Sequence, residues 1–166
     1  MNIAIIYTTN DKSTKKSCKI LSGKISNAEV QLIPIEIAKS DCILKYNYLI
    51  LAGSAINGKV QTGLKMYISK NLKTLKEKPT GLIINCEEEK DRFNSTFTEE
   101  LVKTSNIISN FGFELYPNEG NYLQKRKTNK LINRYKENQQ TLPTLNMNEI
   151  EKFADYINNM IEKRVD

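Results

Sequence analysis

Apolar residues along this chain fall into two alternating patterns: short, nearly unbroken runs, and longer stretches in which they recur every three or four positions. The runs predict strands at 2–7, 29–35, 48–53 and 81–85, with a weaker fifth at 112–116. The first, third and fourth are continuous, which marks strands covered on both faces of a parallel sheet. Helical spacing predicts helices at 14–26 (Cys18, Leu21, Ile25), at 60–72 (Leu64, Tyr67, Ile68, Leu72) and at 98–110 (Leu101, Val102, Ser105, Ile108). A fourth, at 147–161, carries Ile150, Phe153, Ala154, Ile157 and Ile161 on one face and should dock on the sheet. Strand and helix alternate throughout, so the expected architecture is a doubly wound α/β fold. With no repeat and no low-complexity linker, one domain over residues 1–166 is expected, carrying a basic helix or insertion at about 121–140.

Composition narrows the chemistry. Of 166 residues, 39% are hydrophobic and 27% charged, as in a water-soluble globular protein. No apolar run approaches the roughly 20 residues that span a bilayer. The chain enters a strand at once, with no signal peptide in view, so the cytoplasm is the expected compartment. Histidine is absent, which excludes Ser-His-Asp and Cys-His catalysis and histidine-built metal sites. Cys18, Cys42 and Cys86 are widely spaced and form no CxxC pair, so they read as packed thiols; Cys86 alone is placed near a ligand crevice. Cys18 is expected on a helix and Cys42 in a connection. No general base stands out, so the catalytic residues are unknown and no metal site is expected. Any chemistry here would have to come from a cofactor.

Charge is concentrated. Lys125, Arg126, Lys127, Lys130, Arg134 and Lys136 face only Glu137 within 122–140, which gives +5 of the chain's +6. As a helix this stretch would turn Leu131 and Tyr135 inward and its cations outward. Its commonest meaning is a solvated face. Contact with an anionic membrane through Lys125, Arg126, Lys127, Lys130 and Arg134 is the next reading, peripheral to the inner face of the membrane, and nucleic acid comes last.

In a doubly wound fold, ligands sit at the carboxyl ends of the strands. The loop after the first strand is rich in hydroxyls: Thr8, Thr9, Asn10, Asp11, Lys12, Ser13 and Thr14 lead into a helix. Exposed backbone N–H groups, the helix dipole and hydroxyl donors make such a loop an anion cradle. The same residue types also serve as ordinary helix caps and turns, and both readings stand. The other two loops run over 53–59 and 85–92. Tyr116 and Tyr122, around Pro117-Asn118-Glu119-Gly120, could wall a pocket or simply pack at its edge.

These three loops, in this order, resemble flavodoxins. Thr9-Asn10-Asp11-Lys12-Ser13-Thr14 is similar to the family's phosphate loop, and Gly53-Ser54-Ala55-Ile56-Asn57-Gly58-Lys59 to the loop after the third strand in one subgroup. That subgroup includes the flavodoxin-type, menaquinone-dependent protoporphyrinogen dehydrogenases; Lys78-Pro79 and the late basic segment also look like it. The resemblance implies a five-stranded parallel sheet of order 2-1-3-4-5 with helices on both faces, and FMN as cofactor. It implies a phosphate held by Thr8 to Thr14. The flavin ring would lie between the loop holding Ser54, Ala55, Ile56, Asn57 and Gly58 and the one holding Asn85, Cys86 and Glu87.

Three departures stand out. Lys12 replaces a glycine, so it either adds charge or forces another turn geometry. Asn57 stands about where relatives carry an aromatic residue, which removes a stacking surface. Glu87-Glu88-Glu89 would disfavour added negative charge on a nearby flavin, or form a solvated turn. The functional readings are therefore an FMN-dependent redox protein or a flavodoxin fold that has lost flavin and serves as a binding module. Within the first, the partner is a redox protein or a quinone- or porphyrinogen-type substrate. Electron-transfer flavodoxins are typically acidic, so the basic balance tilts towards an oxidoreductase with an anionic substrate.

Overall fold

The computed structural model describes residues 1–8, 12–56, 59–87 and 92–163. Its centre is a parallel sheet of β1 (Asn2–Tyr7), β2 (Glu29–Pro34), β3 (Tyr48–Ile56), β5 (Thr80–Cys86) and β6 (Ile107–Asn110), ordered β2-β1-β3-β5-β6. Counted without the two-residue β4 (Lys59–Val60), which pairs antiparallel with the end of β3, this is the expected order 2-1-3-4-5.

The continuous runs behave as their pattern predicts, because alternate residues enter different cores. Ile3, Ile5 and Tyr7 face one cluster with Cys18 and Leu21 of α1 (Lys12–Lys24) and with Ile150, Phe153, Ala154, Ile157 and Ile161 of α7 (Met147–Glu162). Ala4 and Ile6 face the other. That second cluster is closed by Ile43 of α2 (Ser40–Lys45), by Leu64, Ile68 and Leu75 of α3 (Thr62–Glu77), by Phe97 of α4 (Arg92–Phe97) and by Leu101 of α5 (Glu99–Thr104). Helices therefore cover both faces of the sheet, and the apolar stripe of α7 docks as expected.

The fifth strand of the path is not where the apolar pattern put it. It is β6, Ile107–Asn110, inside the segment read as the end of a helix; the predicted strand at 112–116 holds only an isolated bridge between Gly112 and Leu145. The helix stops at Thr104 because Ser105 turns its hydroxyl back onto the Leu101 carbonyl at 2.7 Å. Asn106 then exchanges bonds with Thr80 at the start of β5: its N–H donates to the Thr80 carbonyl, and its side chain accepts from the Thr80 N–H. That exchange sets the β5–β6 register, so the β-branched Ile107 and Ile108 extend along the sheet edge. Four short elements escaped the pattern: a 3₁₀ turn at Ile35–Ile37, α2, whose backbone includes Cys42 where a connection was expected, the two-residue β4, and α4.

Candidate functional site

The strands of the sheet point their carboxyl ends at one rim, and the candidate residues collect there. Thr8 extends the β1–β3 ladder by one bond, donating its N–H to the Ala52 carbonyl at 3.1 Å. It is buried, and its Oγ1 has no hydrogen-bond partner among the described residues. Two further buried oxygens without partners among the described residues lie along the same stretch of β3. Gln61 donates Nε2 to Ser54 Oγ at 2.9 Å and leaves its own Oε1 unpartnered. Thr96 of α4 packs beside Gly53 and leaves Oγ1 unpartnered. Three orphaned oxygens beside the consecutive residues Ala52, Gly53 and Ser54 are unusual, because buried polar groups are normally satisfied by protein, water or ligand. Gln61 and Thr96 were not among the sequence candidates; a lone polar residue at a helix boundary carries no distinguishing signal.

The N-terminus of α1 follows Thr8 in the chain after residues 9–11, which lie outside the described residues. Its inward face begins with hydroxyls (Ser13, Thr14 and Ser17, all fully buried) and turns apolar only at Cys18 and Leu21. The first turn carries no acidic residue; it carries Lys12 and Lys15, with Lys16 following. Cations there oppose the helix dipole, which favours negative charge at that end. Lys12 is the first residue of α1 and is not among the residues with positive φ. Its ammonium pairs with Glu119 and lies 6.0 Å from the centre of the Tyr116 ring.

Several candidates hold the rim together. Ser13 Oγ accepts from the Glu114 N–H at 2.9 Å and donates to the Glu114 carbonyl at 3.2 Å. Lys16 reaches both Glu114 carboxylate oxygens at 2.8 Å, and Tyr116 donates its hydroxyl to one of them at 2.6 Å. Burial alone would raise the Glu114 pKa, but the hydrogen bonds from Lys16 and Tyr116 outweigh it and hold the carboxyl below its ordinary range. Asn85, fully buried at the end of β5, accepts from Ser17 Oγ at 3.2 Å and donates to the Gly112 carbonyl at 2.7 Å. Its amide ties α1, β5 and the turn after β6 into one unit. Cys86 is buried beside it, bonded through its backbone to the Asn110 side chain. Cys18 is buried as well, which pushes its thiol far above the range of a reactive cysteine.

The basic segment is α6 (Tyr122–Glu137), and it belongs to this rim. Leu131 and Tyr135 pack against Phe113 and Leu115, as the helical pattern required. Arg134 then reaches Glu87, the first residue after β5, at 2.8 Å, and the Tyr135 hydroxyl donates to the same carboxylate oxygen. Glu87 is thus partly neutralised. Lys125, Arg126, Lys127 and Lys130 are exposed, as is Tyr122, so that tyrosine walls no pocket.

Ser54 and Ala55 are buried at the end of β3, in register with Asn85 and Cys86. The structure therefore brings together Thr8, Lys12, Ser13, Thr14, Ser54, Ala55, Asn85, Cys86 and Glu87. Thr9, Asn10, Asp11, Asn57, Gly58, Glu88 and Glu89 lie outside the described residues, and Ile56 is described by its backbone alone. No described helix is long and apolar enough to cross a membrane.

Comparison with known proteins agrees with this fold. A family model described as a flavodoxin domain matches residues 4–142. No curated protein matches the chain in sequence. Among solved structures, a flavodoxin from the domain Archaea superposes with a TM-score of 0.60 at 10% identity, over 98% of this chain and 99% of that one. A flavodoxin from Streptococcus pneumonia gives 0.57 at 12% identity, over 95% and 97% of the two chains. Rubredoxin oxygen:oxidoreductase from the anaerobe Desulfovibrio gigas gives 0.58 at 12% identity, over 99% of this chain but 37% of that protein.

Proposed function

The chain belongs to the flavodoxin family, whose cofactor is FMN, and on that premise we propose that it is an FMN-dependent redox protein whose rim at the carboxyl ends of β1, β3 and β5 holds the flavin. The observation that supports the reading is the buried Thr8 hydroxyl, without a partner among the described residues, four positions before a helix whose first turn holds no acidic residue. A phosphate dianion meets both needs: it accepts the hydroxyl hydrogen bond, and it offsets the helix dipole, Lys12 and Lys16 being already paired with Glu119 and Glu114. Thr8 and the backbone amides opening α1 would hold the phosphate, with Thr9, Asn10 and Asp11 assigned there by resemblance. Ser13 and Asn85 would act indirectly, since their polar groups already fix the walls of the site. Residues 54–58 and 85–87 would flank the ring. Bound FMN supplies the electron-accepting and electron-donating chemistry; the protein binds and orients it and sets its electrostatic surroundings. Partial neutralisation of Glu87 by Arg134 reduces the penalty that this carboxylate would place on a flavin gaining charge.

The position of α6 supports a second, narrower reading. A basic helix at the rim would favour a carboxylated substrate, so a protoporphyrinogen dehydrogenase-like oxidoreductase acting with a quinone stays in view. An FMN titration of the apo-protein, followed by quenching of flavin fluorescence, tests the main reading. Micromolar or tighter binding is expected, and no binding at high micromolar FMN would overturn it in favour of a flavin-free binding module. A protoporphyrinogen oxidation assay on the loaded protein tests the narrower one.

A further inference from the structure

Helix α6 is expensive to keep as it is. Arg126 and Lys130, and again Lys130 and Arg134, stand four residues apart, and like charges at that spacing repel. Among the described residues, only Arg134 of the six cations makes an ion pair. Leu131 and Tyr135 would anchor the helix equally well with neutral neighbours, so the fold does not account for the charge.

We propose that the outward face of α6, formed by Lys125, Arg126, Lys127 and Lys130, docks an acidic face of a protein electron carrier. The proposal rests on the redox reading above. Placement supports it: the Glu87 carboxylate, held by Arg134 and Tyr135, fixes the helix to the loop that leaves β5 at the candidate flavin rim. A partner seated on α6 is therefore seated beside the site. Concentrated positive charge steers an acidic partner during encounter and fixes its orientation. Tyr122 and Leu123 are exposed at the start of the helix and offer an apolar contact at the edge of the basic field. A lipid surface fits less well. A helix lying in a bilayer interface needs a long apolar face, and the one on α6 is spent on Phe113 and Leu115.

The test is direct binding of the full chain to a plant-type ferredoxin, used as a small acidic electron carrier, with basic cytochrome c as the opposite-charge control. Binding is read by calorimetry at two ionic strengths, and the contact surface by amide chemical-shift mapping. Ferredoxin binding that weakens with salt is expected, with shifts centred on 122–134 and Glu87. The triple variant Lys125→Glu, Lys127→Glu, Lys130→Glu should weaken it by roughly tenfold or more. Lys19→Glu, Lys70→Glu, Lys73→Glu, with the same net charge change on exposed residues of α1 and α3, should leave most of it. Equal losses in the two variants, or shifts mapped elsewhere, would overturn the proposal. So would an absence of ferredoxin binding, or α6-dependent sedimentation with phosphatidylglycerol vesicles in its place. Binding is read without flavin, so a failed FMN titration and a failed docking experiment are separate results.

Discussion

Arg134 donates from Nη2 to Glu87 Oε1 across 2.8 Å, and Tyr135, the next residue, donates its hydroxyl to that same oxygen. The pair joins a helix late in the chain to the loop after β5. Burial first, and then the hydrogen bond and negative charge of Glu87, push the Tyr135 pKa up to about 12, while Arg134 pulls the other way. A tyrosine whose folded pKa is raised binds its proton longer when folded than when unfolded. Its contribution is therefore intact below its ordinary pKa near 10 and is lost as pH rises towards 12. Glu87→Gln should bring the Tyr135 titration down and flatten the alkaline loss of stability. Phenolate absorbance and denaturant titrations across that range check both; an unchanged Tyr135 titration would remove Glu87 as a cause.

Thr8→Val separates a binding hydroxyl from a structural one. The side chains have nearly the same shape, and the hydroxyl is buried without a partner among the described residues. Removing it should leave the apo-protein as stable or stabilise it by up to about 1 kcal/mol, because a desolvated, unsatisfied group disappears. FMN affinity should fall by roughly tenfold, the worth of one hydrogen bond to a charged group. A variant less stable than the parent, with unaltered FMN affinity, would place that hydroxyl in the fold instead.

Legibility in the sequence followed the kind of signal each element carries. β1, β3 and β5 announce themselves as unbroken apolar runs because both of their faces are buried, and α7 announces itself by a five-residue stripe. β6 carries neither signal. It is a four-residue edge strand in which Ile108 is exposed and Ser109 buried, and Leu101, Val102, Ser105 and Ile108 happen to fall at helical spacing. Only pairing between Asn106 and Thr80 decides it, and pairing is invisible to a local pattern. The site divides in the same way. The hydroxyls after β1 are a local signature, whereas the link from Glu87 to Arg134 spans 47 positions and exists only once the chain has folded.

Asn85→Asp should convert a tether into a pH-dependent defect. Asn85 Nδ2 donates to the Gly112 carbonyl at 2.7 Å, and a carboxylate there would face that carbonyl with nothing to donate. The buried charge is disfavoured, so the introduced carboxyl should titrate above its ordinary range. Its protonated form can still donate to Gly112. The variant should lose about 1–3 kcal/mol near neutral pH and recover part of it on acidification. Denaturant melts at neutral and mildly acidic pH check this, and a penalty independent of pH would contradict it.

Gly112→Ala tests the turn that Asn85 grips. Gly112 has a φ of 65°, and a Cβ there would lie 2.6 Å from the backbone carbonyl of Thr144. Left-handed strain of roughly 1–2 kcal/mol adds to a backbone clash that no side-chain rotation relieves. The bridge to Leu145 would open, and with it the seat of α7. A loss of about 2 kcal/mol or more in chemical denaturation is expected; a loss under about 0.5 kcal/mol would mean that the turn relaxes freely.

Lys16→Met probes the other end of the same segment. Burial would raise the Glu114 pKa, yet Lys16 and Tyr116 together hold it lowered. A carboxyl with a depressed folded pKa contributes stability that is present above its unfolded value and lost as pH falls through the folded one. Without Lys16, that acid loss should begin at higher pH. At neutral pH the variant should cost only about 0.5 kcal/mol, because both partners are partly exposed to solvent. Added salt should reproduce part of the effect in the parent protein, since screening weakens the ion pair and spares the Ser13–Glu114 backbone bonds. Acid titrations of the two proteins at low and high salt measure this directly. Curves that coincide at both salt levels would mean that the Lys16–Glu114 pair adds nothing to holding the 113–116 segment on α1.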